Sequence, residues 1–245
     1  ATCQAGALQS TRLPSLQMVI RLGDEKTPGM LNYAEVLETG RAALDVAALN
    51  ALGARLSCHD AINIQFTSGT TGHPKGATLT HHNVVNNARF IAQAMNFSDA
   101  DSLCIPVPLY HCFGMVLAVL ACVSSGAAMV FPGESFDPVA TLEAVSDEHC
   151  TALHGVPTMF IAELDHPRFA EFDLSRLRTG IMAGSPCPIE TMKRVIAGMH
   201  LSEITITYGM TETSPVSFQS STTDPLARRV STVGRIHPLL EATVI

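Results

Sequence analysis

Short apolar runs alternate with helix-like patterns along the chain from Leu56 onward. The segment "AINIQFT" places Ile62, Ile64 and Phe66 at every second position, which is typical of a half-buried strand. The segment "NVVNNARFIAQAM" carries apolar residues at helical spacing, and Asn83 stands where an N-cap residue is expected. The apolar positions on one face of this predicted helix are Val84, Ala88, Ile91 and Met95.

The same alternation continues through the rest of the chain. Strand-like runs occur in "LCIPVP", "AAMVFP", "TALHGV", "RTGIMAG" and "EITITY", and the apolar run after His111 predicts a buried helix. Further helical patterns open at Asp137-Pro138, Pro157 and Pro188, since proline suits the first turn of a helix. Strands and helices in alternation predict an α/β fold, with a largely parallel sheet and helices on both faces. The apolar face predicted for the last helix comprises Ile189, Met192, Ile196 and Met199.

Residues 1 to 55 are less regular, although "RLPSLQMVIRLGD" predicts a strand and "YAEVLETGRAAL" a helix. We expect a linker near Ala51 to Asp60. The chain starts at Ala1 and stops inside "LLEATVI", which has the pattern of a strand, so we expect that both ends are cut. No signal peptide or basic transit segment is visible at the start, and a cut chain gives no grounds to exclude one.

Composition and charge narrow the class of protein. With 245 residues, 47% of them hydrophobic and 15% charged, the chain can bury the core of one large domain or two small ones. The net charge of −7, with no basic run longer than Arg228-Arg229, argues against nucleic acid or an anionic membrane as partner. The longest apolar run, Cys112 to Val123, is too short to span a bilayer.

The cysteines and histidines predict no metal centre. Seven cysteines are odd in number and scattered, which favours core thiols in a reducing compartment. Cys150 and His154 are spaced like zinc ligands, but no second pair of soft ligands completes such a site. We therefore interpret the histidines of apolar runs as structural.

A glycine-rich loop follows the first clear strand, in "QFTSGTTGHPKGATLTHHN". Glycines at 69, 72 and 76 permit positive φ, and Lys75 adds a cation that suits phosphate. The loop lacks the Walker A order, because Lys75 does not directly follow the last glycine of that pattern. On this segment alone, a phosphate cradle and a simple hairpin turn both stay open.

Three further loops follow strands, where ligands of open α/β sheets bind. In "YGMTETSP", Glu212 could hold Mg²⁺ and Thr211 a phosphate, or both could belong to a solvated turn. In "AGSPCP", Gly184 and Ser185 could expose backbone to a flat ring or only connect a strand to a helix. In "PLYHCFG", His111 could line a substrate tunnel or be a satisfied core histidine. No G-x-S-x-G elbow occurs to support a serine hydrolase.

Taken together and in this order, five segments resemble the adenylate-forming superfamily of acyl-CoA synthetases, luciferases and peptide-synthetase adenylation domains. They are "FTSGTTGHPKGATLTHHN", "PLYHCFG", "HGVPTMF", "AGSPCP" and "YGMTETSP". Within that superfamily, "LSCHDAINIQFTSGTTG" and "YGMTETSPVSFQ" are most similar to medium-chain acyl-CoA synthetases. The resemblance implies that residues 56–245 are the ATP- and acyl-adenylate-binding core of the N-terminal domain. Residues 1–55 would then be a remnant of a preceding subdomain and linker.

The family reaction has two steps. A carboxylate attacks the α-phosphate of Mg·ATP to give an acyl-adenylate, and the thiol of coenzyme A then displaces AMP. The resemblance assigns the catalytic work to Lys75, Thr211, Glu212 and His111, with Thr211 on the α-phosphate, Glu212 on Mg²⁺ and His111 at the acyl pocket. The loop implied to hold the β- and γ-phosphates is Thr67, Ser68, Gly69, Thr70, Thr71, Gly72, His73, Pro74 and Lys75. The residues implied to frame adenine are Gly184, Ser185, Pro186, Tyr208, Gly209 and Met210.

The family's ribose-binding Asp, the Arg after it, the hinge and the C-terminal Lys all fall beyond the equivalent of Ile245. We therefore expect this piece to fold, to bind ATP weakly and to turn over very slowly or not at all. Two alternatives stay open, an adenylation domain that loads another carboxylic acid onto a carrier protein and a silent nucleotide-binding module. The resemblance implies a cytoplasmic protein in a bacterium or a matrix protein in mitochondria, and leaves chain length and oligomeric state unassigned.

Overall fold

A computed structural model describes residues 4–68 and 72–243, which divide into two compact units with their boundary between Leu56 and Ser57. In the first unit, the strand predicted in "RLPSLQMVIRLGD" is only two residues long, and the helix predicted in "YAEVLETGRAAL" is confirmed. The first unit contains β1 (Ile20–Arg21), β2 (Leu31–Asn32), α1 (Tyr33–Ala42) and α2 (Val46–Gly53).

The second unit opens with an antiparallel hairpin of β3 (Ala61–Thr67) and β4 (Lys75–Thr80). Its buried face carries Gln65, whereas Phe66 is 76% exposed. The face predicted from the alternation of "AINIQFT" is therefore wrong, because Ile62 and Ile64 also point to solvent. Alternation defines two faces of a strand without saying which one is covered, and here Asn63 and Gln65 of the polar face contact Met115 Sδ in the segment after His111.

A seven-stranded sheet forms the centre of the second unit, in the order β11-β10-β9-β8-β7-β5-β6. Strands β5 to β9 pair in parallel, and β10 and β11 add an antiparallel edge, so the largely parallel sheet is confirmed. These strands are β5 (Ser102–Cys104), β6 (Ala128–Val130), β7 (Ala152–Gly155), β8 (Thr179–Met182), β9 (Glu203–Gly209), β10 (Val216–Gln219) and β11 (Arg235–Ile236).

Helices cover both faces of this sheet. Successive residues of one strand enter two different apolar clusters, as Ile181 and Met182 of β8 do, which is the pattern of a sheet buried on both sides. The apolar run after His111 forms a π-helix, Phe113–Leu120, that continues into α4. The helices are α3 (His81–Ala94), α4 (Ala121–Ser125), α5 (Pro138–Asp147), α6 (Pro157–Leu164), α7 (Ile189–Met199) and α8 (Leu226–Ser231).

Helix starts confirm one predicted cap and correct another. Asp137 Oδ1 accepts from the Ala140 N–H at 2.8 Å, as expected for the N-cap of α5. For α3 the N-cap is Thr80, and Asn83 is the third helical residue, with Thr80 and Asn83 each accepting from the other's backbone N–H. Such a reciprocal pair places the cap three residues earlier than a lone Asn suggests.

The predicted inner face of α3 is buried at Val84, Ala88, Ile91 and Met95. On α7 the prediction holds for Met192 and Met199, whereas Ile189 in the first turn is exposed. Residues 239–243 form no strand, so the strand predicted from "LLEATVI" is wrong as far as the described residues reach. No helix of the described chain has both the length and the apolarity needed to cross a membrane.

Candidate active site

A cleft of about 460 Å³ opens at the carboxyl ends of β8 and β9. It is walled by the β3–β4 hairpin, by the segment after Tyr110 and by the turn that follows β9. Three segments that are far apart in the sequence thus meet at one place, which is the position expected for ligands in open α/β sheets. Of the residues assigned from the sequence, the cleft is lined by Thr67, Ser68, Lys75, His111, Gly184, Gly209, Met210, Thr211 and Glu212.

A second cavity of about 540 Å³ adjoins the first and shares Gly184, Thr207 and Gly209 with it. Ser185, Pro186 and Tyr208, which the sequence assigned to an adenine frame, line this second cavity. Its other side is the segment from Val230 to Val233, at the C-terminal end of α8. The two cavities together offer adjoining space for two parts of one elongated ligand.

Part of the predicted phosphate loop does not reach the cleft in this structure. Gly72, His73 and Pro74 are exposed and line neither cavity. Gly69, Thr70 and Thr71 lie outside the described residues. The loop does join two antiparallel strands, so the hairpin expected as an alternative exists, and its two ends nevertheless lie at the cleft.

The turn after β9 is held by close backbone contacts. A Cβ on Gly209 would lie 1.9 Å from Pro215 O, so only glycine fits there. Pro215 O also accepts from the Met210 N–H at 3.0 Å and from Thr213 Oγ1 at 2.8 Å. These bonds fix the 3₁₀ turn Thr211–Thr213 and with it the two side chains, Thr211 and Glu212, that face the cleft.

A buried amide ties this region to α3. Asn87 Nδ2 donates to Val216 O at 2.7 Å, and Val216 N donates to Asn87 Oδ1 at 3.1 Å. Asn87 and Val216 are both buried, so the amide of Asn87 and the backbone N–H and C=O of Val216 would be left unpaired without each other. The tether fixes the first residue of β10, which lines the cleft beside Pro215.

The ring of His111 has a defined tautomer. Its Nδ1 accepts from the Phe113 N–H at 3.1 Å, so the proton of the neutral ring is on Nε2. His111 is exposed at the cleft, and Nε2–H is therefore a donor for a ligand there. The expectation of a satisfied core histidine applies instead to His154, whose Nε2 lies 3.1 Å from Leu117 O and whose Nδ1 accepts from the Ile181 N–H.

Seven cleft-lining residues were not assigned from the sequence. Phe113 and Leu117 belong to the run that was interpreted only as a buried helix, and its first turn in fact forms a cleft wall. Their closeness in sequence to His111 was the signal from which they could have been assigned to the cleft. The unassigned residues are Cys112, Phe113, Leu117, Ala183, Thr207, Pro215 and Val216.

Charge in the cleft is sparse and opposite in sign, with Lys75 on the hairpin and Glu212 on the turn. No group of three or more His, Cys, Asp or Glu side chains is suited to hold a metal ion anywhere in residues 4–68 and 72–243. A cation at Glu212 would therefore need further oxygens from a ligand or from water.

Comparison with known proteins decides the family. The profile described as "AMP-binding enzyme" matches residues 5–245. The chain belongs to this AMP-binding enzyme family. "Acyl-CoA ligase sidI" of Aspergillus fumigatus is 51% identical over 217 residues, which are 89% of this chain and 37% of that protein. "Medium-chain acyl-CoA ligase ACSF2, mitochondrial" of Danio rerio is 44% identical over an alignment of 246 positions, which covers 100% of this chain and 40% of that protein.

A solved structure agrees with this assignment. ATP-bound MatB from Rhodopseudomonas palustris superposes with a TM-score of 0.64 at 28% identity, over 75% of this chain and 35% of MatB. The α/β architecture of the second unit is thus that of adenylate-forming enzymes. The chain spans about two fifths of the length of the curated relatives that it matches.

Proposed function

We propose that this chain is the nucleotide- and acid-binding part of an AMP-forming acyl-CoA synthetase that activates a medium-chain fatty acid. The observation that carries the proposal is the convergence of Lys75, His111, Thr211 and Glu212 on one cleft. They come from three separate segments, and each has the chemistry that one part of Mg·ATP or of a carboxylate requires.

In this proposal the phosphates of ATP lie between the hairpin and the turn after β9. Lys75 neutralises the β- and γ-phosphates with the help of the glycine-rich loop, and Thr211 donates to the α-phosphate. Adenine occupies the adjoining cavity beside Tyr208 and Gly184. The ATP bound by MatB, a solved relative, supports a nucleotide as the ligand of this chain.

The single carboxylate of Glu212 fits Mg²⁺. This ion is commonly held by one or two carboxylates together with water and substrate phosphates, and a full protein cage is not needed. When bound, the ion supplies neutralisation of charge between the triphosphate and an attacking carboxylate. Glu212 is exposed at the cleft and can accept such a shared ion.

The acid would occupy the apolar part of the same cleft. Phe113, Leu117 and Val216 line it, and His111 Nε2–H is a donor for the carboxylate. The side chains thus bind and orient the two reactants and stabilise charge, and no covalent nucleophile of the protein is required. The names of the vertebrate relatives support a medium-chain acid, and coenzyme A is then the acceptor of the acyl group.

Nucleotide binding is the first test, measured on the 245-residue chain by calorimetric titration with Mg·ATP. We expect Lys75→Ala and Glu212→Ala each to weaken binding about tenfold or more, since each removes a charged contact. Lys193→Ala and Glu190→Ala are matched controls, because these two side chains pair with each other on α7 and line neither cavity. Equal effects of the site and control variants would contradict the assigned roles.

Acid activation is the second test, measured as ATP–pyrophosphate exchange by a chain extended to the length of the relatives. Exchange should depend on an added straight-chain fatty acid and peak at medium length. Acyl transfer to coenzyme A separates this function from loading of a carrier protein, which would leave coenzyme A unacylated. Exchange that is absent with every acid would identify a silent nucleotide-binding module.

A further inference from the structure

Cys112 and Thr211 meet inside the cleft although 99 positions separate them in the chain. The Cys112 Sγ atom lies 3.6 Å from Thr211 Oγ1, and both residues are buried at the cleft wall. Among the described residues, the Thr211 hydroxyl has no other hydrogen-bond partner. The direction of this one contact therefore decides where the hydroxyl proton points.

The neighbouring histidine favours one direction, from the thiol to the hydroxyl oxygen. Cys112 Sγ also lies 3.7 Å from His111 Nδ1, which could accept the thiol proton. Nδ1 has a single in-plane lone pair, however, and the Phe113 N–H already occupies it at 3.1 Å. The acceptor left for the thiol is Thr211 Oγ1, and the hydroxyl proton is then free for a third group.

Burial keeps the thiol able to donate. Burial raises the pKa of the Cys112 thiol above its usual value of 9.0. The S–H group therefore persists at neutral pH. A protonated thiol is a poor nucleophile, so the place of Cys112 at the cleft is better explained by hydrogen bonding.

We propose that Cys112 is a positioning residue, which donates to Thr211 Oγ1 and so aims the Thr211 O–H at the phosphate of a bound nucleotide. The inference rests on the proposed function, since the third group is the α-phosphate assigned to Thr211. It adds a residue whose role is to set the direction of the hydroxyl that contacts the phosphate.

The S–H contact can be tested without any ligand by infrared spectroscopy, because the S–H stretch falls in a region free of other protein bands. The band of Cys112 is obtained as the difference between the unmodified chain and Cys112→Ala. We expect Thr211→Val to shift this band to higher frequency, as loss of an acceptor does. Cys122→Ala supplies the matched control, because it gives the band of a buried thiol that does not contact Thr211. Thr211→Val should leave that band in place. A Cys112 band unchanged by Thr211→Val overturns the inference.

The effect on ligand binding is tested by titration of the same variants with Mg·ATP. Thr211→Val should weaken binding about tenfold or more and Cys112→Ala about threefold to tenfold, as expected for charged and neutral hydrogen bonds. The double variant should bind no more weakly than Thr211→Val, because Cys112 acts only through that hydroxyl. Cys112→Ser, which keeps a donor, should recover most of the loss.

The outcomes separate this inference from the proposed function. An unmodified chain that fails to bind Mg·ATP contradicts both the proposed function and the assignment of the phosphate as third group. Binding by the unmodified chain together with additive losses in the double variant contradicts the inference alone. Equal melting temperatures of the variants by circular dichroism show that the losses do not come from unfolding.

Discussion

At the scale of single residues, the second unit buries titratable groups that the proposed reaction does not use. Glu163 on α6 is 1% exposed, and its Oε2 atom has no hydrogen-bond partner. His154 and His237 are buried as well. His154 was interpreted from the sequence as structural, whereas Glu163 and His237 were not recognised, because a single polar residue in an apolar pattern does not reveal whether its side chain reaches water.

Glu163 should lower stability as the pH rises. Burial raises its pKa well above the usual 4.5, so the folded chain keeps a proton that the unfolded chain releases. Its contribution is complete below about pH 4.5 and is lost as the pH rises through the folded-state pKa. We expect the free energy of unfolding of Glu163→Gln, measured in urea and compared with that of the unmodified chain, to be higher at pH 8 than at pH 5. Glu134→Gln, at an exposed glutamate, is the control. If Glu163→Gln differs from the unmodified chain by the same free energy at both pH values, the prediction is contradicted.

The two buried histidines act in the opposite direction. Burial lowers the pKa of His154 and of His237 to about 4. Below pH 6.5 these two rings therefore bind protons in the unfolded chain and stay neutral in the folded chain until the pH approaches 4. Their contribution is complete above pH 6.5 and is lost as the pH falls toward 4. Between pH 6.5 and 5 the two histidines lower the free energy of unfolding as the pH falls, and Glu163 alone opposes them, so a net loss of stability is expected.

Urea unfolding at pH 6.5 and pH 5 measures this loss, and proton NMR titration assigns it. The ring signals of His154 and His237 should stay constant down to pH 5. Either signal titrating near its ordinary pKa of 6.5 would show that its ring is open to water.

At the scale of elements, the buried faces of helices were predicted from the sequence more accurately than those of strands. The apolar face of α3 was predictable because helical spacing specifies one stripe, and Asp137 marked the start of α5 because its carboxylate caps the helix. The face of β3 was not predictable, because the side that is covered depends on a helix later in the chain. The π-helix was not predictable either, since its residues suit an α-helix equally well.

The tether between α3 and β10 offers a test at this scale. Asn87→Leu keeps the volume but leaves the N–H and C=O of Val216 unpaired, which should cost about 2 to 6 kcal/mol of unfolding free energy. Asn86→Ala is the matched control on the same helix, because Asn86 bonds only to the local His82 O. Urea unfolding compares the two variants. A loss for Asn87→Leu no larger than for Asn86→Ala would contradict a structural role for the tether.

At the scale of the whole molecule, every buried apolar side chain of the described residues belongs to the second unit. The α/β class could be predicted from alternating strands and helices, whereas the strand order could not, since pairing joins distant segments. The convergence of the cleft residues likewise depended on that order. The resemblance of five ordered motifs supplied what periodicity alone could not.

We expect residues 57–245 to fold without residues 1–56. Both apolar clusters lie wholly in the second unit, so removal of the first unit takes away no core side chain. The chain has no tryptophan, so circular dichroism is the suitable probe. The shortened chain should melt cooperatively within a few degrees of the full chain. Loss of a cooperative transition would show that the second unit depends on the first.

The π-helix has a consequence for how the cleft can change. Its hydrogen bonds skip one residue more than those of an α-helix, as from Ala121 N to Val116 O, and its residues Phe113 and Leu117 lie on the cleft wall. A π-helical turn contains about one residue more than an α-helical turn, so deleting one residue between Phe113 and Leu117 should return the segment to an α-helix and change which side chains face the cleft. The shape of the proposed acid pocket therefore depends on the number of residues in this segment as well as on their types, and insertions and deletions there produce shapes that substitutions do not.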